Sequence, residues 1–247
     1  MNIPNKLKSL VVGDLHFGVS YEIFEEKEEV FNHINELREE LSRIIEENSA
    51  DRLVLLGDIK HNVPAGILNL SEILSNFFLE MKELIDVEIV LGNHDKDIEP
   101  FIPEDICLHG GEGTNLGENI GLFHGHSWPS PDTLRNELVV MAHEHPYIEE
   151  REGKGKRTTR PVWIKTRLNK NNLPERLSGA LEDRNPEFVI IPAFNELATK
   201  GTVNRKIPEE WTKHHPFFRN HAIELDRAEI YSLTGNLLGE LKNLRID

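Results

Sequence analysis

The sequence holds a single cysteine, Cys107, in 247 residues. That excludes an intramolecular disulfide and a cysteine-rich zinc site, and it suits a reducing compartment. Long apolar runs are missing too. The opening MNIPNKLKSLVVGD is too short in apolar residues for a signal peptide. No stretch reaches the roughly 18 apolar residues of a membrane span. The expectation is a cytoplasmic protein with no membrane partner. Positive charge is scarce: 28 Lys and Arg face 43 Asp and Glu, a formal net charge of -15. This disfavours indiscriminate binding to nucleic acid or an anionic membrane, so any polyanion has to be met by a local group of cations. With 38% hydrophobic and 29% charged residues, the composition is that of a globular chain long enough to bury a substantial core. No internal repeat or low-complexity linker divides it, and one domain over residues 1–247 is expected.

Short apolar runs that stop at glycine organise the first half. Residues 9–13, 52–57 and 87–92 read as buried strands, each running at once into polar residues: Asp14 and His16, Asp58, then Asn93, His94 and Asp95. Between them, residues 21–48 carry apolar positions three and four apart, as in an amphipathic helix with a glutamate-rich solvated face. A second helical stripe runs from Ile67 to Leu84, and Asn69 with Glu72 offers a cap for its start. Strand, helix, strand, helix, strand places the three strands parallel in one sheet. In such sheets ligands bind beyond the carboxyl ends of the strands.

From Ile98 the segments shorten and glycine and proline punctuate them. Strands are expected at 120–123, ending at His124 and His126, and at 138–142, ending at His143 and His145. Further strands are expected at 161–165, 188–191, 222–225, 230–233 and 237–241, a short helix at 173–181 and a loop at 110–121. The fold class is α/β: a two-sheet sandwich flanked by helices.

The strand-end residues combine carboxylate, amide and imidazole. That set suits divalent manganese, iron or zinc, with nickel and magnesium as alternatives, whereas all-oxygen sets suit magnesium and calcium. Asp58 offers two independent oxygens and is the natural bridge between two cations. The order D-x-H, G-D, G-N-H-D, H-G-H, H-x-H, from Val11 to His145, resembles the calcineurin-like metallophosphoesterases. The resemblance implies that Asp14, His16, Asp58 and His145 hold one metal, and that Asp58, Asn93, His124 and His143 hold the other. It makes His94 the catalytic histidine, oriented by Asp95, and manganese the expected metal. Within the superfamily the HGHSWP, AHEHP and IPAFN segments are most similar to phosphoesterases related to the double-strand-break repair nuclease and to DNA-ligase-associated phosphodiesterases. A DNA-processing partner enzyme is an implied possibility, while the oligomeric state is open. Ala142 departs from the family's usual glycine and puts the local turn in question.

His126 reads as a phosphate-contacting or ligand-supporting group, and His61, in GDIKH, as a residue that faces either substrate or solvent. Trp128 reads as packing or as a base-stacking ring. His33, His109, His214, His215 and His221 read as surface or hydrogen-bonded core histidines. Residues 151–170 hold eight cations, Lys154, Lys156 and Arg157 among them, against the single acid Glu152. Gly153 and Gly155 mark a hairpin tip that would carry basic groups to the metal rim, or would simply be solvated.

The expected activity is hydrolysis of a phosphoester, most of all a phosphodiester of DNA, RNA or a nucleotide-like substrate. Alternatives are a phosphomonoesterase or nucleotide phosphatase, a DNA nuclease proper, and a scaffold that keeps the fold without catalysis. The 102 residues after His145 leave little room for a nuclease's DNA-gripping cap, and the full ligand set counts against a scaffold.

Overall fold

The structure, a computed structural model, describes residues 7–24, 26–63, 68–152, 156–199 and 201–246. The first sheet grows from β1 (Ser9–Val12), α1 (Lys27–Asn48), β2 (Arg52–Leu56), α2 (Leu70–Leu84) and β3 (Asp86–Val90). The crossover helices make β1, β2 and β3 parallel, as connections of that length require. A short β4 (Cys107–His109) extends the sheet beside β3, giving the order β1-β2-β3-β4. On α1 the expected stripe is buried: Val30, Ile34, Leu37, Leu41 and Ile45 face the sheet. Each such side chain contributes about 1.5–3 kcal/mol through its burial. Glu29, Glu36, Glu40 and Glu47 are exposed, the solvated face that the sequence suggested.

The second sheet contains β5 (Thr114–Leu116), β6 (Ile120–Phe123) and β7 (Leu138–Met141), then, beyond a separate hairpin of β8 (Tyr147–Glu152) and β9 (Lys156–Pro161), β10 (Trp163–Thr166), β11 (Glu187–Ile190), β12 (Glu229–Tyr231) and β13 (Leu237–Glu240). Its order is β13-β12-β10-β11-β7-β6-β5, with β6, β7 and β11 parallel. Short helices α3 (Pro131–Leu134), α4 (Glu175–Leu181), α5 (Glu209–His214) and α6 (Pro216–Arg219) accompany it. Because side chains alternate along a strand, β2 turns Leu53 and Leu55 to the helices and Val54 and Leu56 to the other sheet. There they meet Leu122, Ala142 and Ile191, which closes the sandwich. Behind the second sheet, Leu177, Trp211, Phe217 and Phe218 pack on Val139, Phe188 and Ile190.

Several boundaries differ from expectation. The helix expected from residue 21 begins at Lys27. A separate 3₁₀ turn, Val19–Glu22, precedes it, and Ser20 O accepts the N–H groups of both Ile23 and Phe24. Asn69 does not cap α2 through a backbone N–H, because its side chain is taken by Glu72 and Ser71. The strand expected at 222–225 is reduced to one bridge, Leu168 with Ile223. The loop expected at 110–121 contains β5, which pairs antiparallel with β6. The strand expected at 161–165 straddles a break between β9 and β10, since Val162 N–H turns aside to Pro146 O. No described helix is long and apolar enough to cross a membrane.

Candidate metal centre

Five polar residues at the ends of β1, β2 and β7 share an uncommon backbone. Asp14 (φ 60°), His16 (43°), Asp58 (51°), His143 (72°) and His145 (43°) are left-handed. They make up more than half of the non-glycine residues with positive φ among those described. This conformation costs about 1–3 kcal/mol per residue and collects where geometry serves function. Beyond β1 and β2 the two chain segments still run side by side, with Phe17 and Lys60 in a parallel bridge. The turns interlock: Asp14 N–H donates to Gly57 O (3.0 Å) and His16 N–H to Asp58 O (2.8 Å). Gly57, at φ 77°, lies so close to the His124 ring that a Cβ there would stand 2.3 Å from Cδ2. Ala142 is not among the positive-φ residues, so its methyl group strains no turn. It fills the space that Gly13 leaves, where a Cβ would be 2.7 Å away.

Three groups of ligand-type atoms result among the described residues, each within 4.8 Å of one another: His16, His61 and His94, and two that include a carboxylate, Asp14 with His16 and His145, and Asp58 with His124 and His143. Asp14 Oδ1 is 3.1 Å from Nε2 of both His124 and His145. Asp58 Oδ2 is 3.5 Å from Nε2 of His16 and of His124, so it faces both carboxylate-containing groups. Asp58 Oδ2, His16 Nε2 and His145 Nε2 are buried and make no hydrogen bond. Leaving such atoms unsatisfied is costly, and cations placed among them would remove the cost. The donor set and its unsatisfied atoms thus fit divalent metals.

Electrostatics agree. Burial alone would raise the Asp14 carboxyl, but His145 and His124 hold it well below the usual carboxylate range. Burial pushes His16 down to about 3 despite Asp14 and Asp58, which keeps the ring neutral, the form that ligates metals. At His124 burial opposes the charge, yet Asp58 and Asp14 raise its affinity for a proton. That site invites a cation of one kind or another.

The remaining expected residues lie around this floor. Asn93 is exposed at the mouth, and His94, His61, His126 and His143 are half-buried there. The His94 ring stands edge-on to His16 (5.0 Å between centroids) and stacks on His61 (5.3 Å, 16°). His61 also faces His16 Nδ1 at 3.3 Å and Glu22 at 3.0 Å. Asp95 accepts from the backbone N–H groups of Ile59, Lys60 and Gly92. It thereby ties the β2 and β3 loops together. His126 Nδ1 meets His124 Nδ1 at 2.9 Å. Trp128, partly buried, packs on Phe217 at the margin of the core, 4.5 Å between centroids. The basic hairpin exists as β8 and β9, but Lys154 lies outside the described residues. Lys156 is exposed, and Arg157 reaches Glu149 at 3.5 Å.

Other groups had no role assigned from the sequence, although Asn195 lies in the IPAFN segment. Asn195, fully buried, donates to Leu15 O (2.9 Å) and braces the turn between Asp14 and His16. His145 Nδ1 is bonded to Ala198 O, which fixes the ring so that Nε2 points to Asp14. His215 is a buried histidine as expected, but it lies against His143 rather than away from the site (5.7 Å between centroids, 30°). These partners come from loops distant in sequence, where only tertiary packing reveals them.

The calcineurin-like phosphoesterase family matches residues 7–190. No curated protein sequence matches the chain. Among solved structures, the nuclease MPE of Pseudomonas putida is similar with a TM-score of 0.47 and 18% identity, over 79% of this chain and 78% of that one. Yfce, a phosphoesterase from E. coli, is similar with a TM-score of 0.40 and 13% identity, over 94% of this chain and 96% of that one. Since the family match spans the first sheet and continues through β11, the chain belongs to the calcineurin-like phosphoesterases, metal-dependent hydrolases of phosphoester bonds.

Proposed function

We propose that this chain, acting as one domain, is a binuclear phosphodiesterase for nucleic-acid or nucleotide-like substrates, with manganese as its preferred metal. The observation that carries the binuclear reading is Asp58 Oδ2, 3.5 Å from one nitrogen in each ligand group. Asp14, His16 and His145 would hold one cation, and His124 and His143, with Asn93, the other, Asp58 facing both. When bound, such a pair supplies Lewis-acid charge to the phosphoryl oxygens and to the attacking water. The mixed nitrogen and oxygen set favours manganese over magnesium.

The chain's own residues do the rest. His94 is placed at the mouth to give a proton to the leaving oxygen. Its N–H is held by Asp58 Oδ1 (2.8 Å) and its carbonyl by Lys60 Nζ (2.6 Å), while His61 supports the ring. A diester of a sugar hydroxyl leaves as a poor anion, and there a general acid is worth about 10²- to 10⁴-fold. The exposed Asn93 and half-buried histidines leave the mouth open to an extended substrate.

A second reading, a small phosphomonoester or nucleotide substrate, is favoured by the hairpin itself. Arg157 and Arg160 are engaged in cis by Glu149 and Glu150, and the whole chain is strongly acidic. Paired mono- and diester chromogenic substrates, with short DNA and RNA, separate the two. The proposal expects diester turnover to exceed monoester turnover. It also expects replacement of Lys154, Lys156 and Arg157 by alanine to flatten the salt dependence of oligonucleotide binding by roughly 0.7 in slope per lost phosphate contact. Monoester preference with an unchanged salt slope favours the small substrate.

A further inference from the structure

The segment that follows β11 supplies none of the expected ligands, yet His215 carries it to the metal centre. We infer that Glu144 and His215 are a positioning pair for the ring of His143, which makes the C-terminal segment part of one cation site. The inference rests on the binuclear reading above. Glu144 and His215 are each 2% exposed, so neither meets substrate or solvent. His215 Nδ1 accepts the Phe217 N–H (3.2 Å), which puts the ring's proton on Nε2, and Nε2 lies 3.6 Å from Glu144 Oε1.

The face of His215 lies against His143, while His124 stands edge-on to it at 4.8 Å. His143 is thereby held between two rings, on a backbone whose N–H is tied to Asp14 Oδ2 (2.9 Å). Phe217 and Phe218, fixed in the core, hold His215 rigidly. A buried carboxylate is retained only where it is partnered, and Glu144 sits between the two candidate ligands of the AHEH segment. Groups behind a metal-bound histidine fix its orientation, and their loss lowers metal affinity by about 10- to 100-fold.

Manganese titration of the chelator-stripped full chain, followed by calorimetry, tests this with H215F, H215Q and E144L. H215F keeps volume and ring contact but loses the polar contact to Glu144, whereas H215Q can keep an amide N–H there. The expected result is a loss of about 10- to 100-fold in one of two binding steps for H215F and E144L, the other step unchanged, and substantial recovery in H215Q. Failure of H215F to fold leaves E144L to carry the comparison. Two binding steps as in the wild type for the variants overturn the inference. So does an equal weakening of both steps accompanied by a lowered melting temperature of the metal-free protein, since His215 would then be core packing alone. A wild-type chain that binds fewer than two manganese ions overturns the binuclear reading itself.

Discussion

The backbone N–H of His94 donates to Oδ1 of Asp58 at 2.8 Å, so the candidate proton donor at the end of β3 is fixed to the carboxylate at the end of β2. One oxygen of Asp58 positions His94, and the other faces both ligand groups. The acid catalysis and metal binding proposed above would thus share one side chain.

Asp58→Asn separates these duties, because the amide oxygen can still accept from His94 while the charge is lost. Metal content after reconstitution is expected to fall below two ions per chain. Turnover is expected to drop by about 10³-fold, the scale of several kcal/mol of transition-state stabilisation. Elemental analysis with parallel rate measurements checks both.

His94→Ala is expected to retain metal and to lose rate according to the leaving group. Esters of weakly acidic alcohols should slow by about 10²- to 10⁴-fold, and nitrophenyl esters much less. The dependence of rate on leaving-group pKa, compared between variant and wild type, is the measurement. Equal slowing of all esters assigns His94 another role.

Gly57→Ala meets two obstacles, the positive φ of 77° and a Cβ 2.3 Å from the His124 ring. The backbone strain alone costs about 1–3 kcal/mol, and in a chain of this size each kcal/mol lowers the melting temperature by roughly 2–4 °C. Melting in chelator and in manganese should show the metal-free protein weakened and metal stabilisation reduced as well.

Burial and then the neighbouring His124 push His126 from the usual 6.5 down to about 4. Between those two values the unfolded chain binds the proton and the folded chain does not, so stability rises with pH across that window. This contribution is fully present above pH 6.5 and is lost as the pH falls toward 4. In chelator, denaturant unfolding of His126→Gln should show a shallower loss over this range than the wild type.

Much of this centre is visible in the sequence because strand ends leave a local signature. The runs into Asp14, Asp58 and His143 stop at small residues, and the polar groups follow at once, so β1, β2, β6 and β7 could be placed within a residue or so. The left-handed backbone of Asp14 and His145 left no such mark, since neither residue type demands it. The roles of Asn195, Ala198 and His215 were invisible for a different reason: they reach the site by packing across the sandwich, and although Asn195 lies in the IPAFN segment, nothing near them in sequence records their partner. Short edge elements were the other loss. β4 and β5 have three residues each, too few for a period to show, and both are held by neighbouring strands.

Two cations are expected at the strand ends, with Asp58 between them. Anomalous scattering from crystals grown with manganese would locate them. Two peaks are expected, one beside Asp14, His16 and His145 and one beside His124 and His143, both touching Asp58. A single peak, or two peaks that leave Asp58 outside both coordination shells, contradicts that arrangement.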